Sequence, residues 1–459
     1  MPFSWDDIQL VFADANSYAG GIKQRPQHLA EGLAKHAGLL YIEEPGNWLT
    51  VGVSPEKPRS NWSAWKAGPR EEAPGLWVWT PPPGMPVGYW SPAINRRNHA
   101  RYAAALARVA GPVPTGALTM VAMNPLAVDW IPHLQPRRVV YDCHDEFSSF
   151  LVPSQRPEVI LAMERGLMAQ AQVTVFSSAS LMRLKTSPRA APTKGARKGG
   201  VVVSPQGLPR KAVLLRNACH PEHFAQAEPD LIPAPPDLAP LVAKGPVMLF
   251  YGAVMAVFHS ELLAALAKRR PDWQFVILGP LLAKHPALEG VPNIHLLGKK
   301  PYNDLPAYVA HARVGLLPLK INPQSDLSDR VKLYEYLAGG LGCVVSPIQE
   351  AAFFRAFVKR AQTVEEWEQA IEGFLAAPPD ARAARRRFAS QHSWKIRVDW
   401  YRRVLAGPEK SERDAAMAAQ WAEEEALLAR YQGGDNGDGD VLLDYATSPS
   451  GPKPATPEV

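Results

Sequence analysis

The chain has 459 residues, 46% of them hydrophobic and 20% charged, an ordinary globular balance with length for two large domains. Three scattered cysteines, Cys143, Cys219 and Cys343, exclude a disulfide framework or a zinc site and fit a reducing, cytoplasmic setting. The net charge of +6 is uneven: nine Lys or Arg and no acid lie between Leu181 and Asn217, a solvated loop or a contact for a phosphate-rich partner.

In chain order, Met1-Pro2-Phe3-Ser4-Trp5-Asp6-Asp7 carries no basic or long apolar region, so no secretory signal is expected. No run approaches the roughly 20 apolar residues of a membrane helix. Ile8–Phe12 reads as a strand, and a glycine turn at Gly20-Gly21 leads into a helix over about 26–35. Leu39–Ile42, Trp77–Trp79, Leu118–Ala122, Val139–Tyr141 and Val173–Phe176 read as further strands, with helical patterns over about 94–110 and 156–170. Strands alternating with helices predict a parallel sheet covered on both faces.

The pattern restarts at Val247–Tyr251. Strands are predicted at Phe275–Leu278, Ile294–Leu297, Val314–Leu317 and Cys343–Val345, with helices over about 260–269, 303–311 and 330–338. Six prolines between Pro229 and Pro246 mark a linker. The expected fold class is α/β, two Rossmann-like domains facing across a cleft: 1–228, the linker 229–246, then 247–390. Helices are expected over 391–431 and a disordered tail over 432–459, where Asp435–Asp440 resembles a calcium loop but lacks its register and closing glutamate. Open parallel sheets take ligands beyond the carboxyl ends of their strands, so two facing sheets place a site in the middle.

Three segments could line that site. Gly20-Gly21 would let backbone approach an anion at the following helix N-terminus, with Arg25 projecting from the same edge; the plain alternative is a turn chosen for geometry. Asp142-Cys143-His144-Asp145-Glu146 packs ionisable groups after a buried strand. Extended backbone would send Asp142, His144 and Glu146 one way and Asp145 the other; the alternative is a helix-capping cluster with a surface histidine. Ser328–Gly340 is the densest signal. Ser328 or Asp329 can cap a helix, and Lys332 and Glu335 share a face. A cation near the amide-rich N-terminus suits a diphosphate, and a carboxylate one turn on suits a diol such as ribose. An ordinary intrahelical ion pair is the alternative.

Taken together, Arg25–Ala30, Tyr141–Glu146, Arg216-Asn217, Phe250–Ala253, Arg270–Pro280 and Lys332–Gly340 make residues 8–406 resemble the GT-B glycosyltransferases of retaining family 4, in the branch of bacterial polysaccharide and teichuronic-acid clusters. The resemblance implies a hexosyl-type transferase that takes a nucleotide-sugar donor as substrate, with no cofactor and no metal. Glu335 would bind the ribose, Gly20, Gly21, Arg330 and Lys332 the diphosphate, and Arg25, Asp142, His144 and Asp145 would face the sugar and a glycan or lipid-linked acceptor. Departures are Leu327, where relatives carry a glutamate, and the loop Gly252–His259, which lacks their cations. They leave as alternatives a weakened GT-B partner protein or a nucleotide-sugar epimerase. Nucleic acid is not an expected partner, since residues 181–217 show no reading motif. Peripheral contact with anionic lipid through residues 185–200, at the inner face of the membrane, is expected instead.

Overall fold

The computed structural model describes residues 2–19, 23–46, 65–85, 90–149, 156–186, 211–378 and 381–407. Gly20, Gly21, nearly all of the basic segment 185–200, the part of the expected helices over 391–431 that follows residue 407, and the tail lie outside them.

The first sheet is built from β1 (Leu10–Ala15), β2 (Leu39–Glu43), β3 (Arg70–Ala73), β4 (Leu76–Trp79), β5 (Thr119–Ala122), β6 (Arg138–Cys143), β7 (Val173–Phe176) and β8 (Ala212–Leu214). Its order is β3-β4-β2-β1-β5-β6-β7-β8, parallel except at the β3–β4 pair. The central strands are buried along their whole length, which requires cover on both faces. Helices α1 (Arg25–Leu33), α2 (Pro92–Ala110), α3 (Pro157–Gln170) and α4 (Ala179–Thr186) belong to this domain. Proline within the first turn, where the N–H has no intrahelical partner, starts α1, α2 and α3.

After a short helix α5 (Pro221–Phe224), the second sheet uses β9 (Val247–Tyr251), β10 (Gln274–Leu278), β11 (Ile294–Gly298), β12 (Val314–Leu317), β13 (Gly342–Val345) and β14 (Val358–Arg360). Its order is β11-β10-β9-β12-β13-β14, and every pair is parallel. Helices α6 (Ser260–Arg269), α7 (Leu305–His311), α8 (Val331–Ala338), α9 (Val364–Leu375), α10 (Ala381–Ser390) and α11 (Trp394–Ala406) follow. The order reverses at β1/β5 in one sheet and at β9/β12 in the other, the two crevices where such sheets hold ligands.

The core of the second domain begins at Cys219, so that Phe224 and Ala227 pack with β9. Helix α11 returns to the first domain, where Trp394, Val398, Tyr401 and Val404 join Leu29 and Leu33 of α1. Gly32 permits this approach, since a Cβ there would lie 2.2 Å from Val398. The two chain crossings run side by side: Cys219 donates its N–H to His392, and Trp394 donates to Cys219. A paired crossing of this kind is a natural hinge.

Candidate functional site at the domain junction

The densest polar cluster lies where the start of α8 meets the first domain. Asn217, just beyond β8, donates its backbone N–H to Asp329 Oδ2 at 2.7 Å and its amide to the Asp329 carbonyl at 2.8 Å. Ser328 Oγ donates to Asp145 at 3.1 Å, and Ser178 Oγ donates to the Leu327 carbonyl. Arg216 pairs with Glu350, whose other oxygen accepts from the Ser180 N–H. Neither Ser328 nor Asp329 therefore caps α8. Arg330 occupies the cap position without a side-chain bond, because Asp329 is turned toward Asn217 and Tyr334.

Burial raises the Asp329 carboxyl to about 6, against the lowering effect of Arg216. A raised acid contributes stability fully below its unfolded value near 3.9 and loses it as pH rises through the folded value. Relative to the wild type, Asp329→Asn should therefore remove a loss of stability of about 2–3 kcal/mol between pH 4 and pH 7. Urea unfolding of both proteins at the two pH values measures the difference.

Arg25 does not project into the cleft as expected. Its guanidinium is only 3% exposed and makes two bonds to Asp142, Nε to Oδ1 at 2.9 Å and Nη2 to Oδ2 at 3.0 Å. Nη1 donates to Asn217 Oδ1 at 3.2 Å. Burial opposes charge on Asp142, yet Arg25 holds its carboxyl down at about 2. The pair is a buried brace joining α1, β6 and the 216–217 crossing.

Strand β6 ends at Cys143, so the alternation expected through Glu146 stops there. His144 stays beside Asp142, with Nδ1 3.2 Å from its carbonyl oxygen. Burial opposes protonation of this ring, but the Asp142 hydrogen bond and the Asp145 and Asp142 charges raise its pKa. Glu146 turns inward: Lys185 Nζ lies 2.6 Å from both Glu146 and Glu164. Of the Asp142–Glu146 carboxylates, Asp145 accepts a hydrogen bond from Ser328, in the segment that leads into α8.

The second sheet supplies the other wall. Glu335, one turn into α8, is buried and accepts from two phenols, Tyr251 at the end of β9 at 3.1 Å and Tyr302 before α7 at 3.2 Å. Two O–H donors on one carboxylate is the pattern that a cis-diol would present. Burial raises the Glu335 carboxyl and lowers the Lys332 ammonium, while each charge counters the shift of the other. Lys332 lies over Gly252 at the β9/β12 switch point. Its Nζ would be 2.7 Å from a Cβ at Gly252, whose φ is +134°. Arg330 reaches the Gln324 carbonyl through Nη2 at 3.2 Å, while its Nε is buried without a partner. A cationic floor beside a buried carboxylate fits a diphosphate joined to a ribose. Gly252→Ala should displace Lys332 and strain the backbone, lowering nucleotide affinity about tenfold or more; calorimetry with UDP checks it.

Tyr251, Tyr302 and Gly252 were not among the site residues expected from sequence. Tyr251 ends β9 and Gly252 follows it at the switch point, which is a readable signal. Tyr302 becomes meaningful only once β11 is placed, and it stacks on His223 at 4.3 Å. Among the described residues no group of three His, Cys, Asp or Glu could hold a metal ion, and no helix is long and apolar enough to cross a membrane.

Comparison with known proteins adds to this geometry. Residues 259–403 match a family model described as glycosyl transferase-like. A stretch of 101 residues is 27% identical to the putative teichuronic acid biosynthesis glycosyltransferase TuaH of Bacillus subtilis (strain 168), covering 21% of this chain and 25% of that protein. The chain thus spans about a quarter of the length of the curated relative it matches. Sucrose-phosphate synthase from Thermosynechococcus elongatus superposes with a TM-score of 0.60 at 15% identity, over 87% of this chain and 100% of that one. A UDP-forming trehalose-phosphate synthase from Burkholderia xenovorans gives 0.60 at 14% identity, over 88% and 100%. A trehalose-6-phosphate protein from E. coli bound with UDP-2-fluoro glucose gives 0.58 at 12% identity, over 87% and 99%. The fold is GT-B. The expected architecture of two α/β domains with parallel sheets holds.

Proposed function

We propose that the chain is a glycosyltransferase moving a sugar from a nucleoside-diphosphate sugar to a glycan or lipid-linked acceptor in cell-envelope polysaccharide synthesis, as a retaining family 4 member. The observation carrying this reading is the Glu335 carboxylate, held by two hydroxyl donors beside Lys332 and Gly252. The ribose diol would replace the Tyr251 and Tyr302 hydroxyls on Glu335. Lys332, the free amides at the start of α8, and Arg330 would take the diphosphate.

Within the retaining reading, the opposite wall favours attack on one face of the sugar over a covalent sugar–protein intermediate. Asp142 is neutralised by Arg25 and Glu146 by Lys185, so neither carboxylate is placed to attack the sugar. In the proposed step the acceptor oxygen bonds to the anomeric carbon as the carbon–oxygen bond to the diphosphate breaks. The acceptor proton passes to the departing diphosphate oxygen on the same face. The chain's part is to position both reactants and stabilise the developing charge, with His144 and Asp145 near the acceptor.

A second reading, a GT-B partner protein that binds nucleotide without transfer, draws support from Gly252–His259, which lacks Lys and Arg and exposes Met255. Calorimetry with UDP and GDP, followed by assay of sugar release from UDP- and GDP-sugars with and without acceptor, tests the proposal. Binding with turnover supports transfer, binding without turnover supports the second reading, and no binding of either nucleotide contradicts both.

A further inference from the structure

Helix α2 is buried on one face and exposed on the other. Its inner face carries Asn95, Asn98, His99, Tyr102, Ala105 and Leu106, all buried. Its outer face presents Arg96, Arg97, Arg101 and Arg108, interleaved with exposed Ala93, Ala100, Ala104 and Ala107. There is no acid anywhere in its 19 residues, a length of about 28 Å; acids that act on it, Asp129 on Arg96 and Glu44 near Tyr102, come from neighbouring segments. At the start of the helix Trp90 is 43% exposed, with the Arg156 guanidinium 4.0 Å from its ring centroid. On the short segment packed beside α2, Lys66 adds another exposed cation.

We propose that this face docks on an anionic lipid bilayer. A helix face of exposed guanidinium groups spaced by methyl side chains suits a plane of phosphate headgroups. An exposed tryptophan at its end is the side chain that settles at the headgroup boundary. Recognition of nucleic acid would call for base-reading polar side chains or stacking aromatics among the arginines, and the outer positions hold alanine instead. Helix α2 joins β4 to β5 and starts at the carboxyl edge of the first sheet, so docking would set that edge of the cleft against the membrane. The consequence for a lipid-linked acceptor rests on the transferase reading; the docking itself does not.

The experiment is flotation of the full chain with vesicles of phosphatidylglycerol or of phosphatidylcholine, at low and high salt. The wild type should float with the anionic vesicles only, and lose binding as salt rises. Each arginine is worth about fivefold in partition, so Arg96→Gln/Arg97→Gln/Arg108→Gln should weaken it about a hundredfold with an unchanged melting temperature. A chain lacking residues 187–200 should retain most of the binding. Equal binding to both lipids, no effect of the triple substitution, complete loss on deleting 187–200, or displacement by single-stranded RNA at equal phosphate would each overturn the proposal. UDP and GDP affinity is measured on the same samples. Vesicle binding without nucleotide binding would retain the surface and reject the transferase, and the converse would do the opposite.

Discussion

Replacing Glu335 by alanine is expected to weaken UDP or GDP binding by about a hundredfold or more. A carboxylate accepting from a diol makes two charge-assisted hydrogen bonds, each worth about 1.5–3 kcal/mol. Their loss exceeds any gain from relieving the buried charge, because Lys332 remains and would stand without its neighbour's countercharge. Glu335→Gln keeps the shape and one acceptor oxygen, so its loss should be closer to tenfold. The pair of variants separates ligand contact from folding: both should melt within a few degrees of the wild type, since Tyr302 is 42% exposed and its hydroxyl can turn to water. Unchanged nucleotide affinity in Glu335→Ala would remove the proposed ribose contact.

The second large effect falls on stability. Arg25→Ala should cost about 3–5 kcal/mol, because it leaves the Asp142 carboxylate buried with its two strongest donors gone. Asp142→Ala should cost a similar amount by stranding the guanidinium. The double variant Arg25→Met/Asp142→Leu should recover most of the loss, since matched apolar groups replace a buried pair at little net cost. The depressed Asp142 value near 2 means that the pair's contribution is present above the unfolded value near 4 and is lost as pH falls through 2. Urea unfolding at pH 7 and pH 3 measures both effects. An Arg25→Ala protein of full stability that loses only turnover would return Arg25 to the reaction.

Much of the architecture was legible because buried parallel strands write themselves as short apolar runs. β9, β10, β12 and β13 match the predicted strands to within a residue at each end. Shorter or more polar elements escaped. β14 is three residues long with two exposed, and β3 is Arg-Glu-Glu-Ala. Helix α9 did carry a readable signal, the reciprocal capping of Thr363 and Glu366.

The site divides in the same way. That Lys332 and Glu335 lie close together was legible because both lie on one short helix, where spacing fixes their relative geometry. Arg25 was misread because its partner Asp142 is 117 positions away. A helix-terminal arginine looks the same in sequence whether it meets an external anion or an internal one. Asp329 was misread as a cap because the competing donor, the Asn217 N–H, arrives from the other domain. Local sequence encodes which groups are available; pairing across the fold decides which of them are already engaged.

The most direct measurement is the structure of the full chain with UDP or GDP bound. The two ribose hydroxyls should lie within hydrogen-bond distance of Glu335, the diphosphate beside Lys332 and Gly252, and the Tyr251 and Tyr302 hydroxyls off the carboxylate. A nucleotide seated elsewhere, with both phenols still bonded to Glu335, would contradict this placement.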